Sequence, residues 1–64
     1  MNLQLSYVRG AANTISVADK QNIYLGSIVL NQFGMIDFKQ HCALSIVEKH
    51  EVQMVCQRLQ EVVR

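Results

Sequence analysis

The residues best suited to metal chemistry are two cysteines and two histidines. They are His41, Cys42, His50 and Cys56. Structural zinc sites draw their ligands from closely spaced Cys and His pairs, and these four residues match none of those spacings. His50 and Cys56 would also point about 120° apart on a helix that turns about 100° per residue. We therefore expect no bound metal and no other cofactor.

A hydrolytic site would have to be built around Ser45, His50 and Glu51. Ser45 and His50 lie more than one helical turn apart, and no Asp is placed to orient the imidazole. The three glycines of the chain stand alone, so they form no Gly-rich phosphate-binding loop. We expect a protein that is not an enzyme.

The composition indicates a folded domain and excludes disorder. Half of the 64 residues are hydrophobic and 17% are charged. A chain of this length predicts a single domain spanning residues 1–64, which buries only about 60% of the surface that its unfolded form exposes. Association with a second chain is an ordinary way to add stability, so a homo-oligomer, most simply a dimer, is expected.

The distribution of charged and apolar residues limits the partners. The six basic and five acidic residues give a net charge of +1, and the basic residues form no run, which makes a poor phosphate-binding surface. No apolar stretch approaches the ~18 residues of a spanning helix, and the N-terminus has neither a basic segment nor a long apolar one. We expect a soluble, cytoplasmic protein with no membrane partner, for which nucleic acid is the less favoured partner.

The first third of the chain predicts two strands. "LQLSYV" alternates, with Leu3, Leu5 and Tyr7 on one side, and "TISVAD" alternates through Ile15 and Val17. "RGAAN" and "DKQN" supply the turns. The spacing from Ser16 to Asp19 also fits a helix cap, so a short helical turn is the alternative to the second strand.

The stretch from Ile23 to Phe38 predicts two strands joined by a tight turn. Asn31 suits the first position of a type I turn and Gly34 the left-handed position that follows, the pattern of a three-residue hairpin loop. The predicted pairs are Leu30 with Ile36, Ile28 with Phe38, Val29 with Asp37 and Ser27 with Lys39. The predicted core face carries Tyr24, Ile28, Leu30, Ile36 and Phe38. Gly26, inside the strand, indicates a bulge or a close approach of another group.

The register of the "DKQN" hairpin decides what the opposite face carries. A three-residue loop pairs Val17 with Leu25 and Ile15 with Ser27. The outer face would then hold an apolar patch of Ile15, Val17, Ile23, Leu25 and Val29. A four-residue loop would instead turn Ile15 and Val17 inward.

The last third predicts one amphipathic helix. Ser45 and Glu48 have the spacing of a capping box, in which each side chain accepts a hydrogen bond from the backbone amide of the other. An apolar stripe follows at helical spacing, made of Val52, Val55, Cys56, Leu59, Val62 and Val63. Met54 lies beside the stripe, where it either fills the margin of the core or adds to a binding surface.

The predicted fold is therefore α+β, with a small antiparallel meander of three to four strands followed by one C-terminal helix packed on one face. Small DNA-binding domains share this topology, but their outer strand positions carry Arg, Asn or Gln rather than aliphatic residues. We expect a non-enzymatic interaction module that self-associates or docks on a larger protein as an accessory protein or inhibitor. The alternative is a dimeric nucleic-acid-binding regulator. The predicted protein interface is the outer sheet face together with Met54, and its residues are Ile15, Val17, Ile23, Leu25, Val29 and Met54.

Overall fold

The computed structural model describes residues 3–63, and only the backbone of Val63. Four strands and one helix follow one another along the chain: β1 (Leu3–Val8), β2 (Ala11–Asp19), β3 (Tyr24–Leu30), β4 (Ile36–Gln40) and α1 (Ile46–Val63). The strands form one antiparallel sheet in the order β1-β2-β3-β4. The predicted α+β meander with a C-terminal helix is confirmed, and the segment around Ser16 is strand rather than helical turn.

Helix α1 begins with the predicted capping box. The Ser45 amide donates to the Glu48 carboxylate at 2.8 Å, and the Glu48 amide donates to the Ser45 hydroxyl at 3.1 Å. This exchange satisfies two of the backbone donors that every helix leaves open at its N-terminus. The helix then lies closest to β4, and Val52 is the stripe residue that it buries most deeply.

The β3-β4 hairpin has the predicted loop and register. The Asn31 amide donates to the Met35 carbonyl at 2.9 Å, and Gly34 takes the left-handed position with φ of 78°. The paired residues are Leu30 with Ile36, Ile28 with Phe38, Val29 with Asp37 and Ser27 with Lys39. Gln60 of the helix closes this end of the sheet, since its side chain accepts from the Ile36 amide and donates to the Gly34 carbonyl.

The β2-β3 hairpin uses the same kind of loop. The Asp19 amide donates to the Ile23 carbonyl at 3.0 Å, and Asn22 occupies the left-handed position with φ of 66°. The Asp19 carboxylate accepts from the amides of Gln21 and Ile23, as the Asn31 side chain does from Phe33 and Met35 in the other loop. A short polar side chain that bonds to the backbone ahead of it fixes both turns.

The predicted register beyond this loop is wrong. Val17 pairs with Gly26 rather than with Leu25, and Ile15 pairs with Ile28 rather than with Ser27. The three-residue loop does start the ladder as predicted, but the pairing shifts by one residue directly after Ala18, which pairs with Tyr24. Leu25 is therefore the extra residue of a β-bulge.

Gly26 explains why the chain tolerates a bulge at this point. A Cβ atom there would lie 2.7 Å from Cζ of Phe38, and closer still to the Lys39 carbonyl oxygen. Only glycine leaves room here for the Phe38 ring and the Lys39 carbonyl. Both structural roles predicted for Gly26, bulge and close approach, occur together.

Because of the bulge, side chains of β2 and β3 lie on the face of the sheet opposite from the predicted one. Ile15 and Val17 turn toward the helix, and Val17 is completely buried. Tyr24, which was predicted in the core, turns to the outer side and hydrogen-bonds through its hydroxyl group to Ser27. The buried core consists of Leu3, Val17, Leu25, Ile28 and Val52.

The outer face of the sheet is consequently polar. One row of paired residues crosses all four strands at the same level: Ser6, Ser16, Ser27 and Lys39. Three of the five aliphatic side chains predicted for this side, Ile15, Val17 and Leu25, lie in or against the core instead. The corrected register thus removes the reason to expect a protein partner on the outer face.

Candidate protein-binding surface

The six residues predicted as an interface do not form one surface. Val17 and Leu25 are 0% and 3% exposed, and Ile15 is half-buried against the same core. These three side chains pack within the chain because of the bulge at Leu25.

The other three predicted interface residues are at least partly accessible but separate. Ile23 is exposed at the end of the β2-β3 loop, and Val29 lies on the outer face of β3, opposite Thr14 and Asp37. Met54 is exposed on the helix, on the other side of the sheet. An interface through any one of them stays a prediction, but a shared patch is excluded by their placement.

The accessible apolar surface lies beside the helix. Helix α1 lies closest to β4, and the inner face of β1 becomes progressively more accessible beyond the buried Leu3, since Leu5 is 39% and Tyr7 86% exposed. A groove of about 220 Å³ opens there between strand and helix. Its apolar lining side chains are Leu5, Tyr7, Ile15, Val55 and Leu59. We call this feature the β1–α1 groove.

A second hollow of about 150 Å³ extends the β1–α1 groove toward the β3-β4 hairpin. It shares Tyr7, Ile15 and Leu59 with the first and reaches Leu30 and Ile36. The Tyr7 ring lines both hollows although its side chain is 86% exposed. An aromatic side chain so placed offers a large apolar area to a partner.

Strand β1 is also an edge of the sheet, and its backbone bonding can be assigned. The Asp19 amide points toward β3, so alternation along β2 turns the backbone groups of Ser16 and Ala18 toward β1. Their partners there are Ser6 and Gln4.

The same alternation fixes the groups at the outer side of β1. Because Gln4 and Ser6 bond to β2, the backbone N–H and C=O groups of Leu3, Leu5 and Tyr7 point outward at the free edge. These are the residues whose side chains face the helix side. A strand added at this edge would bond to the backbone of these three residues, and two of them, Leu5 and Tyr7, also line the groove.

The two edges of the sheet differ in protection. Natural edge strands are usually blunted by charged residues, by proline or by a cover. β4 carries Asp37 and Lys39, whereas "LQLSYV" in β1 contains neither charge nor proline. The pairing of β1 shifts between Tyr7 and Val8, and the regular stretch before this shift, which lacks charge and proline, adjoins the apolar groove.

The candidates for chemistry lie elsewhere and are engaged in structure. Ser45 is held in the helix cap, and the Cys42 thiol donates to the Tyr24 carbonyl at 3.6 Å. Burial, with a smaller contribution from Asp37, raises the pKa of the Cys56 thiol. Within residues 3–63, no three His, Cys, Asp or Glu side chains are grouped closely enough to hold a metal ion.

Sequence reasoning missed the groove because it assigned one helix to the whole inner face. The signal was present in the alternation of Leu3, Leu5 and Tyr7, which predicts an apolar side for a fourth strand. A single helix is about 10 Å wide, whereas four strands span roughly 15 Å, so one edge is left uncovered.

Comparison of the chain with protein-family models, with curated proteins and with solved structures gave no match. Among residues 3–63, no helix combines the length and apolar character needed to cross a membrane.

Proposed function

We propose that this protein is a non-enzymatic interaction module that binds an extended polypeptide segment along β1. The observation that carries the proposal is the coincidence, on one strand, of an edge without charge or proline and an apolar groove. The binding surface is thus the helix side of β1 and not the outer sheet face expected from the sequence. An accessory or inhibitory role on a larger protein is compatible with this mode of binding.

The chemistry of the bound segment follows from the geometry. The outward backbone groups of Leu3, Leu5 and Tyr7 would bond to its main chain, which gives affinity with little dependence on sequence. Its alternate side chains would fall on the helix side, where the β1–α1 groove accepts aliphatic or aromatic groups. The expected ligand therefore alternates apolar and polar residues.

The non-enzymatic part of the proposal is supported by the engagement of the candidate nucleophiles. Ser45 completes the cap of α1, and the Cys56 thiol has a raised pKa that disfavours the reactive thiolate. A cytoplasmic location belongs to the same proposal, because Cys42 and Cys56 are free thiols and the cytosol keeps thiols reduced.

A matched pair of charge variants tests the binding surface. Leu5→Lys places a charge in the β1–α1 groove, whereas Gln4→Lys places the same charge on the outer face of the same strand, away from the groove lining. Proteins captured from lysate by the immobilised wild type would be purified and titrated against all three forms. We expect Leu5→Lys to weaken binding at least tenfold and Gln4→Lys to leave it within about threefold. Equal binding by the wild type and Leu5→Lys would contradict the proposal.

A second candidate function, nucleic-acid binding, is favoured by one specific observation. The corrected register places polar residues on the outer sheet face, including Gln4, Ser6, Ser16 and Lys39. The net charge of +1 and the presence of Asp37 on that face weigh against it. Fluorescence anisotropy with duplex DNA at about 0.15 M salt tests it, since a functional phosphate-binding surface retains affinity there. Binding that Lys39→Ala abolishes would support this function over the first.

A further inference from the structure

We infer that the segment added at β1 is β1 of a second copy of this chain, in an antiparallel dimer related by a two-fold axis at Leu5. This inference rests on the proposed function, because it names the partner of the same edge and groove. In the dimer, Leu5 pairs with Leu5 of the second copy, and Leu3 pairs with Tyr7 of the second copy. The two sheets join into one continuous sheet.

The backbone determines this choice of pairs. Leu3, Leu5 and Tyr7 have their N–H and C=O groups at the free edge, whereas those of Gln4 and Ser6 are used by β2. Hydrogen-bonded pairs between two copies therefore join odd-numbered residues to odd-numbered residues. The register centred on Leu5 uses all three outward residues in both chains.

The side-chain contacts favour the same register as the backbone hydrogen bonds. Paired residues of an antiparallel ladder lie on the same face, so every pair in this register brings together side chains from the helix side. Leu5 meets Leu5, and the exposed Tyr7 ring lies over Leu3 of the second copy. A shift of the register by one residue would lose both the bonds and the apolar match.

The symmetry places both helices on the same side. A two-fold axis perpendicular to the sheet carries α1 of one copy to the same face as α1 of the other. The two β1–α1 grooves then adjoin across the joined strands, and each covers part of the other's apolar lining. Leu5 and Tyr7 of both copies form the shared floor.

The charge pattern favours a copy of the chain at β1 and disfavours one at β4. "LQLSYV" contains no charged residue, so two copies bring no like charges face to face. At the β4 edge, Asp37 and Lys39 interrupt any symmetric apolar contact. A domain of 64 residues, in which five of the described side chains form the buried core, also gains stability from the added apolar burial.

Complementary charge variants test both the dimer and its register. Leu5→Lys alone and Leu5→Glu alone would each place two like charges opposite each other, so each should be monomeric by sedimentation equilibrium. The wild type should sediment at twice the 7.3 kDa chain mass. An equimolar mixture of the two variants should recover the dimer, because Lys and Glu then face each other, and added salt should weaken it. A wild type that stays monomeric up to millimolar concentration would overturn the inference.

Backbone N-methylation keeps the test valid if either charge variant unfolds. A chain of 64 residues is accessible to chemical synthesis, and an N-methyl group at Leu5 removes an outward donor without changing the side chain. The matched control is N-methyl-Phe38, whose amide points outward at the β4 edge because Val29 bonds to Asp37. N-methyl-Leu5 should be monomeric and N-methyl-Phe38 dimeric. A dimer that survives N-methyl-Leu5 would place the interface elsewhere and overturn the inference.

The outcomes separate this inference from the function on which it rests. A monomeric wild type that still captures a protein in a Leu5-dependent manner would refute self-pairing and leave the strand-binding function standing. A wild type that is monomeric and also binds no protein through Leu5 would refute both.

Discussion

The ring of Phe38 packs directly against Gly26, in the space where any other residue would carry its Cβ. Gly26 directly follows the bulge residue Leu25, and both Leu25 and Ile28 of β3 lie in the core. The bulge and the ring are two parts of one packing arrangement.

The first prediction concerns this contact. Gly26→Ala should lower the free energy of unfolding by about 1–3 kcal/mol, because the new methyl group must displace the Phe38 ring and the Lys39 carbonyl. Urea denaturation monitored by circular dichroism measures the loss. A stability equal to that of the wild type would show that the strand can move away from Phe38 without cost.

A glycine in the β3-β4 loop provides the control. Gly34 also has a special conformation, but a Cβ there meets nothing within 4 Å. Asn22 already occupies the equivalent left-handed position of the β2-β3 loop. Gly34→Asn should therefore change the stability by less than about 1 kcal/mol, since Asn tolerates this region.

The second prediction concerns the start of α1. Ser45→Ala should destabilise the protein by about 1 kcal/mol, because the Glu48 amide loses its acceptor at the helix N-terminus. Ser45→Asp restores an acceptor and should recover most of the loss. Thermal unfolding of the three forms decides the matter, and identical melting temperatures would mean that the cap contributes nothing.

The third prediction concerns the β2-β3 loop. The Asp19 carboxylate accepts from the amides of Gln21 and Ile23, both at 2.9 Å. Asp19→Ala should cost on the order of 1 kcal/mol, whereas Asp19→Asn keeps an acceptor in the same place, as Asn31 does in the other loop. Chemical denaturation of both variants compares them. Equal losses would show that charge, and not the turn geometry, is what matters at this position.

The fourth prediction concerns pH. The raised pKa of the Cys56 thiol means that the unfolded chain loses this proton first as the pH rises. The contribution of Cys56 to stability should therefore be complete below the pKa of the unfolded thiol and should decline as the pH rises above it. Urea unfolding across the alkaline range, in a Cys42→Ser background, measures this decline. Cys56→Ala in the same background should lack it, and a decline of equal size in both would assign the effect to another group.

Much of the fold could be predicted from local sequence signals. Asn31 and Gly34 determine the β3-β4 loop, and the ladder that follows contains no irregularity, so the predicted pairs occur. Ser45 and Glu48 act on each other within one helical turn, so their spacing sufficed to place the helix start.

The β2-β3 register and the candidate surface could not be predicted, because they depend on contacts between distant parts of the chain. The loop at Asp19 has the predicted length, yet the register beyond it shifts at a bulge beside Gly26, which leaves room for the side chain of Phe38, 12 residues later in the sequence. One extra residue in a strand exchanges its two faces, so this bulge places Ile15, Val17 and Tyr24 on the side opposite from the predicted one. The candidate surface was missed for the same reason, since the position of α1 over β4 is a tertiary property.

The meander order of the sheet has a consequence for folding kinetics. Among residues 3–63, every strand pairs only with its neighbours in sequence, through short connections, so most of the strand pairing involves small sequence separations. Chains dominated by such local contacts fold fast, with the two Asx-stabilised loops as natural starting points for hairpin formation. The sequence contains no proline, so no slow prolyl isomerisation delays the reaction. Refolding of the chain should therefore be a single rapid phase.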